Sequence, residues 1–222
     1  MKKILILALF SCIILAQPAE EKPVPMPQDI MLEEEIPLEF TRTDCFEEIK
    51  INGSCIITLV QGEKCGFQTE EEALTIEVNR NIVSIETAPE YHGRRALKAF
   101  LFLTNLKEIR IDGSAHLHNT KKLELADLGL EVNGSGEIRL VGIAENVNIE
   151  VNGSGDVFLE DLPARTYDIE LNGSGNCSVN VTKTLEAELN GSGNIYYKGN
   201  PENIDQQING SGNIGKIEPI PK

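Results

Sequence analysis

The side chains that could carry acid–base chemistry lie in the second half of this sequence. Glu137, Asp156 and Glu160, with Arg139 and Arg165, stand at positions that alternate with apolar residues. Glycoside hydrolysis needs two carboxyl groups held about 5 to 10 Å apart across a sugar. Because these acids stand singly among polar neighbours, we interpret them as charges on a solvated face and expect no catalytic residues.

The other reactive residue types indicate neither a metal site nor a cofactor site. His116 and His118 lie two residues apart, but no third ligand accompanies them. The stretch Gly-Ser-Gly-Asp ends at Asp156, whereas calcium-binding β-rolls repeat every nine residues with an aspartate in each copy. Phe158 and Tyr196 fall on outward positions, where aromatic rings can stack on a sugar or a partner. We therefore expect no metal and no cofactor, and we name these two aromatic residues as candidate surface binding residues.

Four cysteines follow the N-terminal apolar segment. Cys45, Cys55 and Cys65 are spaced ten residues apart, and in an oxidising compartment they can hold one disulfide. The spacing does not decide which two of them pair. Cys177 lies at an inward position of an alternating strand, which predicts a small buried thiol.

The element that must position all of these side chains is a repeat. Asn-Gly-Ser-Gly occurs five times at spacings of 19, 20, 18 and 19 residues, and degenerate copies begin at Asn52 and Asp112. Between the copies apolar residues alternate with polar ones, which is typical of short strands with one buried face. Self-similarity at a nearly fixed period indicates stacked units. The pattern predicts an all-β fold, a single-stranded parallel β-helix (a solenoid) with rungs of about 19 residues.

Each copy of the tetrapeptide is predicted to form a corner of the coil. Asn and Gly tolerate the left-handed backbone that a sharp bend requires. Stacking at the β-spacing of about 4.8 Å would let the corner side chains hydrogen-bond in a ladder. The predicted ladder residues are Asn133, Ser135, Asn152, Ser154, Asn172, Ser174, Asn190, Ser192, Asn209 and Ser211.

The chain divides into four predicted segments. Residues 1–16 combine two lysines with a short apolar run, as export signals do. Cleavage near Ala16 is favoured, and lipidation at Cys12 is the alternative. Residues 17–39 are rich in Pro and Glu and predict a tether, residues 40–217 the β-helix, and residues 218–222 a Pro-rich stop. Residues 40–111 are less regular, and we expect them to form looser early rungs of the same coil.

Several segments together resemble a known family. They are FEEIKINGSCIITLVQGE, LKEIRIDGSAHLH, the serial NGSG corners and NIYYKGNPENIDQQINGSGNI. The most specific part is Tyr196, Tyr197, Gly199 and Pro201, followed by one more corner. Over residues 40–217 the chain resembles the bacterial family called putative auto-transporter adhesin, head GIN domain. The resemblance implies a right-handed parallel β-helix, export, mainly in Gram-negative bacteria, and no defined catalytic residues.

These observations lead to a functional hypothesis. The formal net charge of -15 disfavours nucleic acid as a partner. We expect a non-enzymatic exported protein of the cell envelope that serves as an adhesin or binding scaffold for an envelope glycan or protein. Its expected location is the periplasm, the outer-membrane surface or the medium, with a membrane contact only through a lipid at Cys12. The alternatives are a carbohydrate-active lyase or hydrolase and a purely structural envelope component.

Overall fold

The computed structural model describes residues 36–37, 39–93 and 95–217, and this part of the chain is all-β. It has 69% strand and forms a β-solenoid of about five turns, which confirms the predicted fold class. The described residues belong to one compact unit, Glu33–Lys222. The predicted signal, nearly all of the predicted tether and the Pro-rich stop lie outside the described residues. Within the described ranges, no helix has the length and hydrophobicity needed to cross a membrane.

Seventeen strands follow one another along the described chain. The strands of the less regular half are β1 (Thr41–Arg42), β2 (Glu48–Gly53), β3 (Ile56–Gln61), β4 (Gly66–Gln68), β5 (Leu74–Asn79), β6 (Ile82–Thr87), β7 (Lys98–Leu103), β8 (Glu108–Gly113), β9 (His116–Asn119) and β10 (Leu123–Glu124). The strands of the regular half are β11 (Asp127–Gly134), β12 (Glu137–Gly153), β13 (Asp156–Gly173), β14 (Asn176–Gly191), β15 (Asn194–Gly199), β16 (Asn203–Gly210) and β17 (Asn213–Lys216).

Parallel pairing between rungs creates two long runs of strands. The approach sheet contains the strands that lead into the corners, namely β6, β2, β8, β11, the C-terminal parts of β12, β13 and β14, and β16. The departure sheet contains the strands that leave the corners, namely β7, β3, β9, the N-terminal parts of β12, β13 and β14, β15 and β17. Because successive rungs stay in register, residues one period apart become neighbours.

The core is a set of apolar columns along the coil axis. One column of the approach sheet consists of Ile51, Ile111, Val132, Val151, Leu171 and Leu189, which are register partners and are all buried. A single rung cannot bury its inward side chains by itself, so each column is stabilised only by the rungs above and below it. Cys177 is fully buried in the same way, as its position in the alternating pattern predicts.

The early strands form rungs of the same coil, but their order in space differs from their order in the sequence. Strand β2 pairs with β6 on one side and with β8 on the other, and β3 lies between β7 and β9 in the same way. The first rung of the chain is therefore the second rung of the stack. After β3 the chain moves outward to build the end rung, β6 with β7, and then returns past β2 and β3 to begin β8.

The two ends of the coil differ. At the N-terminal end, β5 pairs antiparallel with β6, and β4 pairs antiparallel with β7 and with β1. At the other end, all eight residues of β16 are exposed. Ile204 and Ile208 keep the inward positions predicted for them, yet they are 47% and 45% exposed because no described rung follows theirs.

Candidate functional site

The corners form a continuous amide ladder on the outer surface. The Nδ2 atoms of Asn152, Asn172, Asn190 and Asn209 each donate to the Oδ1 atom of the asparagine one rung earlier, at 3.0, 3.1, 3.0 and 2.9 Å. The same nitrogens of Asn152, Asn172 and Asn190 also donate to Glu150, Glu170 and Glu188, at 2.8, 2.8 and 2.9 Å. In these three side chains both amide protons are used within the fold, so the ladder acts as a structural element.

The corner serines contact their neighbours through the backbone rather than through their hydroxyl groups. The amides of Ser135, Ser154, Ser174, Ser192 and Ser211 donate to glycine carbonyls of the preceding rung, at 2.8 to 2.9 Å. Gly153 occupies the tight point of its corner, with a φ of +129°. A Cβ at this position would lie 2.5 Å from the carbonyl oxygen of Gly134. The stacking distance itself therefore requires glycine there.

The amide ladder continues into the less regular half through charged partners. Asn133 donates to Asp112 Oδ1 at 2.9 Å, and Arg110 donates to Asp112 Oδ2 at 2.9 Å and to Glu131 Oε2 at 2.7 Å. The hydrogen bond from Arg110, followed by that from Asn133, lowers the pKa of Asp112. These contacts hold one degenerate corner in line with the first complete one.

The outward face of the departure sheet carries the candidate binding residues. Phe158 pairs in register with Ser178, and Ser178 pairs with Tyr196, so the two aromatic residues lie two rungs apart in one straight row. At the β-spacing their backbones are about 9.6 Å apart. Both aromatic side chains are partly exposed, whereas Ser178 is buried and donates to Glu160 Oε2 at 2.5 Å. The structure thus places two rings on either side of a small residue.

The same row continues toward the N-terminal end with cationic and polar side chains. Arg139 is the register partner of Phe158, and its guanidinium carbon lies 4.3 Å from the centre of the ring. His118 is the next partner, with its Nε2 atom 3.2 Å from Thr58 Oγ1. We define the aromatic row as His118, Arg139, Phe158, Ser178 and Tyr196. Arg139 and Phe158 are one repeat apart in the sequence, so the repeat period could have predicted their contact. The sequence analysis did not predict it.

The carboxylates considered for catalysis are closer together than the sequence suggested. Glu137 and Asp156 are register partners on adjacent rungs. Glu137 Oε1 lies 3.5 Å from an Arg139 nitrogen, and Asp156 Oδ1 accepts from the backbone and side-chain nitrogens of Asn176 at 2.8 and 2.9 Å. Of the three acids expected to stand singly, Glu137 and Asp156 are therefore neighbours, because the stacking of rungs brings them together. Both lie on an open sheet surface and hydrogen-bond within it.

The cysteines lie near the N-terminal end and in the core. Cys45 and Cys65 form a disulfide that closes the segment between β1 and β4, while Cys55 is buried with a free thiol. Burial raises the pKa of Cys55 to about 12. The N-terminal end also contains an open apolar hollow of about 270 Å³, where the rings of Phe40 and Phe102 stack at 4.0 Å. Among the described residues, no three His, Cys, Asp or Glu side chains converge as metal ligands would.

Comparisons with known proteins agree with this geometry. Two solved structures share the fold, a putative adhesin from Bacteroides fragilis and a putative lipid binding protein from Parabacteroides distasonis. The first is 20% identical with a TM-score of 0.62, and the alignment covers 81% of this chain and 95% of that one. The second is 23% identical with a TM-score of 0.54, covering 81% and 96%. No protein of curated function matches. The model of the family described as putative auto-transporter adhesin, head GIN domain, matches residues 45–201, and the chain belongs to this family.

Proposed function

We propose that this chain is an exported, non-catalytic adhesin that binds glycans of the cell envelope or of a neighbouring surface through the aromatic row. The observation that supports this proposal is the row of register partners on the outward face of the departure sheet, with Phe158 and Tyr196 two rungs apart and the Arg139 guanidinium carbon 4.3 Å from the centre of the Phe158 ring. Aromatic faces stack well on the apolar faces of sugar rings, and regularly spaced rings suit an extended polymer. The family name and the export signal predicted in residues 1–16 support a location outside the cytoplasm.

The alternative function, hydrolysis or cleavage of a polysaccharide, has one supporting observation. Glu137 and Asp156 lie one rung apart, which resembles the carboxyl separation of about 5 Å in retaining glycosidases. However, both groups already hydrogen-bond within the sheet, and neither lines the apolar hollow at the N-terminal end. An open face that leaves its carboxylates in water suits binding better than catalysis.

The test is a glycan array probed with the full chain, followed by titration of each bound polysaccharide. We expect Phe158→Ala with Tyr196→Ala to weaken binding by about tenfold or more, since each ring contributes about 0.5 to 1.5 kcal/mol. Phe100→Ala is the matched control, because Phe100 is an outward aromatic residue of the departure sheet that lies outside the aromatic row, on the far side of Thr58 from His118. Equal losses in the control and the double variant would contradict the proposal.

Analysis of the polysaccharide after it has been incubated with the protein separates binding from catalysis. If the wild-type chain releases shorter saccharides and Glu137→Gln does not, the enzyme alternative is correct. Binding to phospholipid vesicles without binding to any glycan would contradict the proposal as well. Glycan binding with no product leaves the adhesin interpretation standing.

A further inference from the structure

The C-terminal end of the solenoid concentrates exposed apolar surface. Among the described residues four large hydrophobic side chains are exposed, and three of them belong to this end: Ile204 at 47%, Ile208 at 45% and Ile217 at 36%. The fourth is Ile143, on the link between the two sheets. The first two continue inward columns of the core. In the part of the chain that the structure describes, the end of the coil is therefore an open cross-section of the hydrophobic core.

The last approach strand also lacks the features that protect a strand edge. In the described part of the chain, β16 pairs along one edge only, with β14. It is eight residues long and contains no proline and one charged residue, Asp205. The outward column of Glu131, Glu150, Glu170 and Glu188 ends on the neutral Gln207. Natural edge strands are usually short, charged or covered, so this strand is suited to further pairing.

We propose that this end binds the same end of a second copy of the chain, through antiparallel pairing of β16 with β16. The charges select this arrangement over head-to-tail stacking. The N-terminal edge strand, β5, contains Glu77 and follows Glu70, Glu71 and Glu72, of which Glu71 is paired with Arg95. Stacking it on β16 would oppose those acids to Asp205 and Glu202. A twofold pairing instead places Asp205 opposite an uncharged glutamine of the second copy, and it closes both open cores.

Residue types on β16 select a single register. Inward residues must face inward residues, because a slip of one residue would place core side chains in solvent. With the twofold axis at Gln206, Ile204 lies opposite Ile208 of the second copy. In the same register Asp205 lies opposite a glutamine amide, Gln207 of the second copy. Moving the axis to Asp205 would oppose two like charges, and moving it to Gln207 would place Ile208 against Gln206.

The unusual inward residue Gln206 fits this register. It continues the column that holds Ile149, Ile169 and Ala187 on the earlier rungs, where apolar side chains are buried. On the axis its amide meets an identical amide, and two primary amides can donate to and accept from each other. The assembly would extend the approach sheet through two solenoids.

Association is tested first by sedimentation velocity of the full chain over a range of concentrations. We expect a dimer for the wild type and loss of the dimer, with a halved mass, for Ile204→Lys combined with Ile208→Lys. The matched control is Ile143→Lys, which changes an equally exposed isoleucine away from the end and leaves the dimer intact. A monomeric wild type, a double variant that stays dimeric or open-ended polymers would each overturn the proposal.

Register is tested by cross-linking. In an antiparallel pair, opposed Cα atoms lie about 4.5 to 5.5 Å apart, within reach of a disulfide. Gln206→Cys is expected to form a covalent dimer on oxidation. Gln207→Cys is not, because its symmetry mate is a diagonal neighbour about 8 Å away. The oxidised wild-type chain gives the baseline from its native cysteines. Equal cross-linking of the two variants would overturn the twofold axis at Gln206.

Discussion

The side-chain amide of Asn172 donates a hydrogen bond to the side-chain carbonyl of Asn152, 3.1 Å away on the preceding rung. Each asparagine in the middle of the row is both a donor and an acceptor, because Asn190 donates to Asn172 in turn at 3.0 Å. The flanking glutamates accept the second amide proton. A side chain that can only accept hydrogen bonds therefore cannot replace any of these asparagines without lowering the free energy of unfolding.

The first prediction concerns this donor requirement. In Asn152→Asp an ionised carboxylate faces the carbonyl of Asn133 and the carboxylate of Glu150, both of which accept hydrogen bonds from the native residue. We expect the free energy of unfolding to fall by about 2 kcal/mol at pH 7. The loss should shrink toward pH 4, because protonation restores a donor. Denaturant titration followed by circular dichroism measures both values.

Asn148→Asp is the charge-matched control for that experiment. Asn148 is exposed on the same strand and faces outward, two residues before Glu150, with Asp168 as its register partner on the next rung. The new charge there lies on a solvent-exposed face, where its repulsion from Asp168 is screened, so we expect a loss of less than about 1 kcal/mol. If the two aspartate variants lose the same free energy of unfolding, overall acidity rather than the ladder would be the cause.

The second prediction concerns the close approach of corner backbones. Gly153→Ala places a methyl group 2.5 Å from the carbonyl oxygen of Gly134 and imposes a φ of +129° on alanine. We expect a loss of about 3 kcal/mol or more, or failure to fold. Gly62→Ala is the control, since a Cβ at Gly62 meets no atom within 4 Å. Equal melting temperatures for both variants would show that the corner can relax.

The third prediction concerns the disulfide at the N-terminal end. The bond between Cys45 and Cys65 closes a loop with a sequence separation of 20 residues. Replacing both cysteines by alanine should lower the free energy of unfolding by about 3 kcal/mol, mainly because the unfolded chain gains freedom. A reductant should have the same effect on the wild type and none on the variant. If the reductant does not change the unfolding midpoint of the wild type, the pairing of Cys45 with Cys65 would be contradicted.

The fourth prediction concerns alkaline pH. Burial raises the pKa of Cys55 to about 12, whereas an unfolded thiol titrates near about 8.5. Between these values the unfolded state binds fewer protons, so stability is fully present below about pH 8 and falls as the pH rises. Between pH 8 and pH 10 the free energy of unfolding should fall in both proteins, and the fall should be about 1 to 2 kcal/mol smaller for Cys55→Ala than for the wild type.

The matched comparison for this measurement is the pH dependence within each protein. The cavity left by Cys55→Ala lowers stability equally at both pH values and therefore cancels. Burial raises the pKa of Cys177 too, and this residue is unchanged in both proteins. Identical slopes for the wild type and Cys55→Ala would mean that the Cys55 thiol is already ionisable in the folded protein.

Much of the fold follows from local pattern. The period, the inward positions of Val157, Leu159 and Leu171, and the corner sites were all readable from the sequence, and these side chains are buried as predicted. In a solenoid each rung has the same environment. The alternation of apolar and polar residues within one rung is therefore enough to predict which face of the strand is buried. The candidate site was partly readable for the same reason, since Phe158 and Tyr196 have outward parity.

The repeat is enough to predict the β-solenoid, the length of its rungs and the residues of its corners, because a regular repeat specifies its own register. The order of the early rungs, in which β2 lies between β6 and β8, became evident only in the folded chain. The same holds for the pairing of Cys45 with Cys65 and for the position of Glu137 beside Asp156. Those relationships depend on which distant segments stack on one another. Stacking depends on how well the whole core is buried, and no short stretch of chain contains that information.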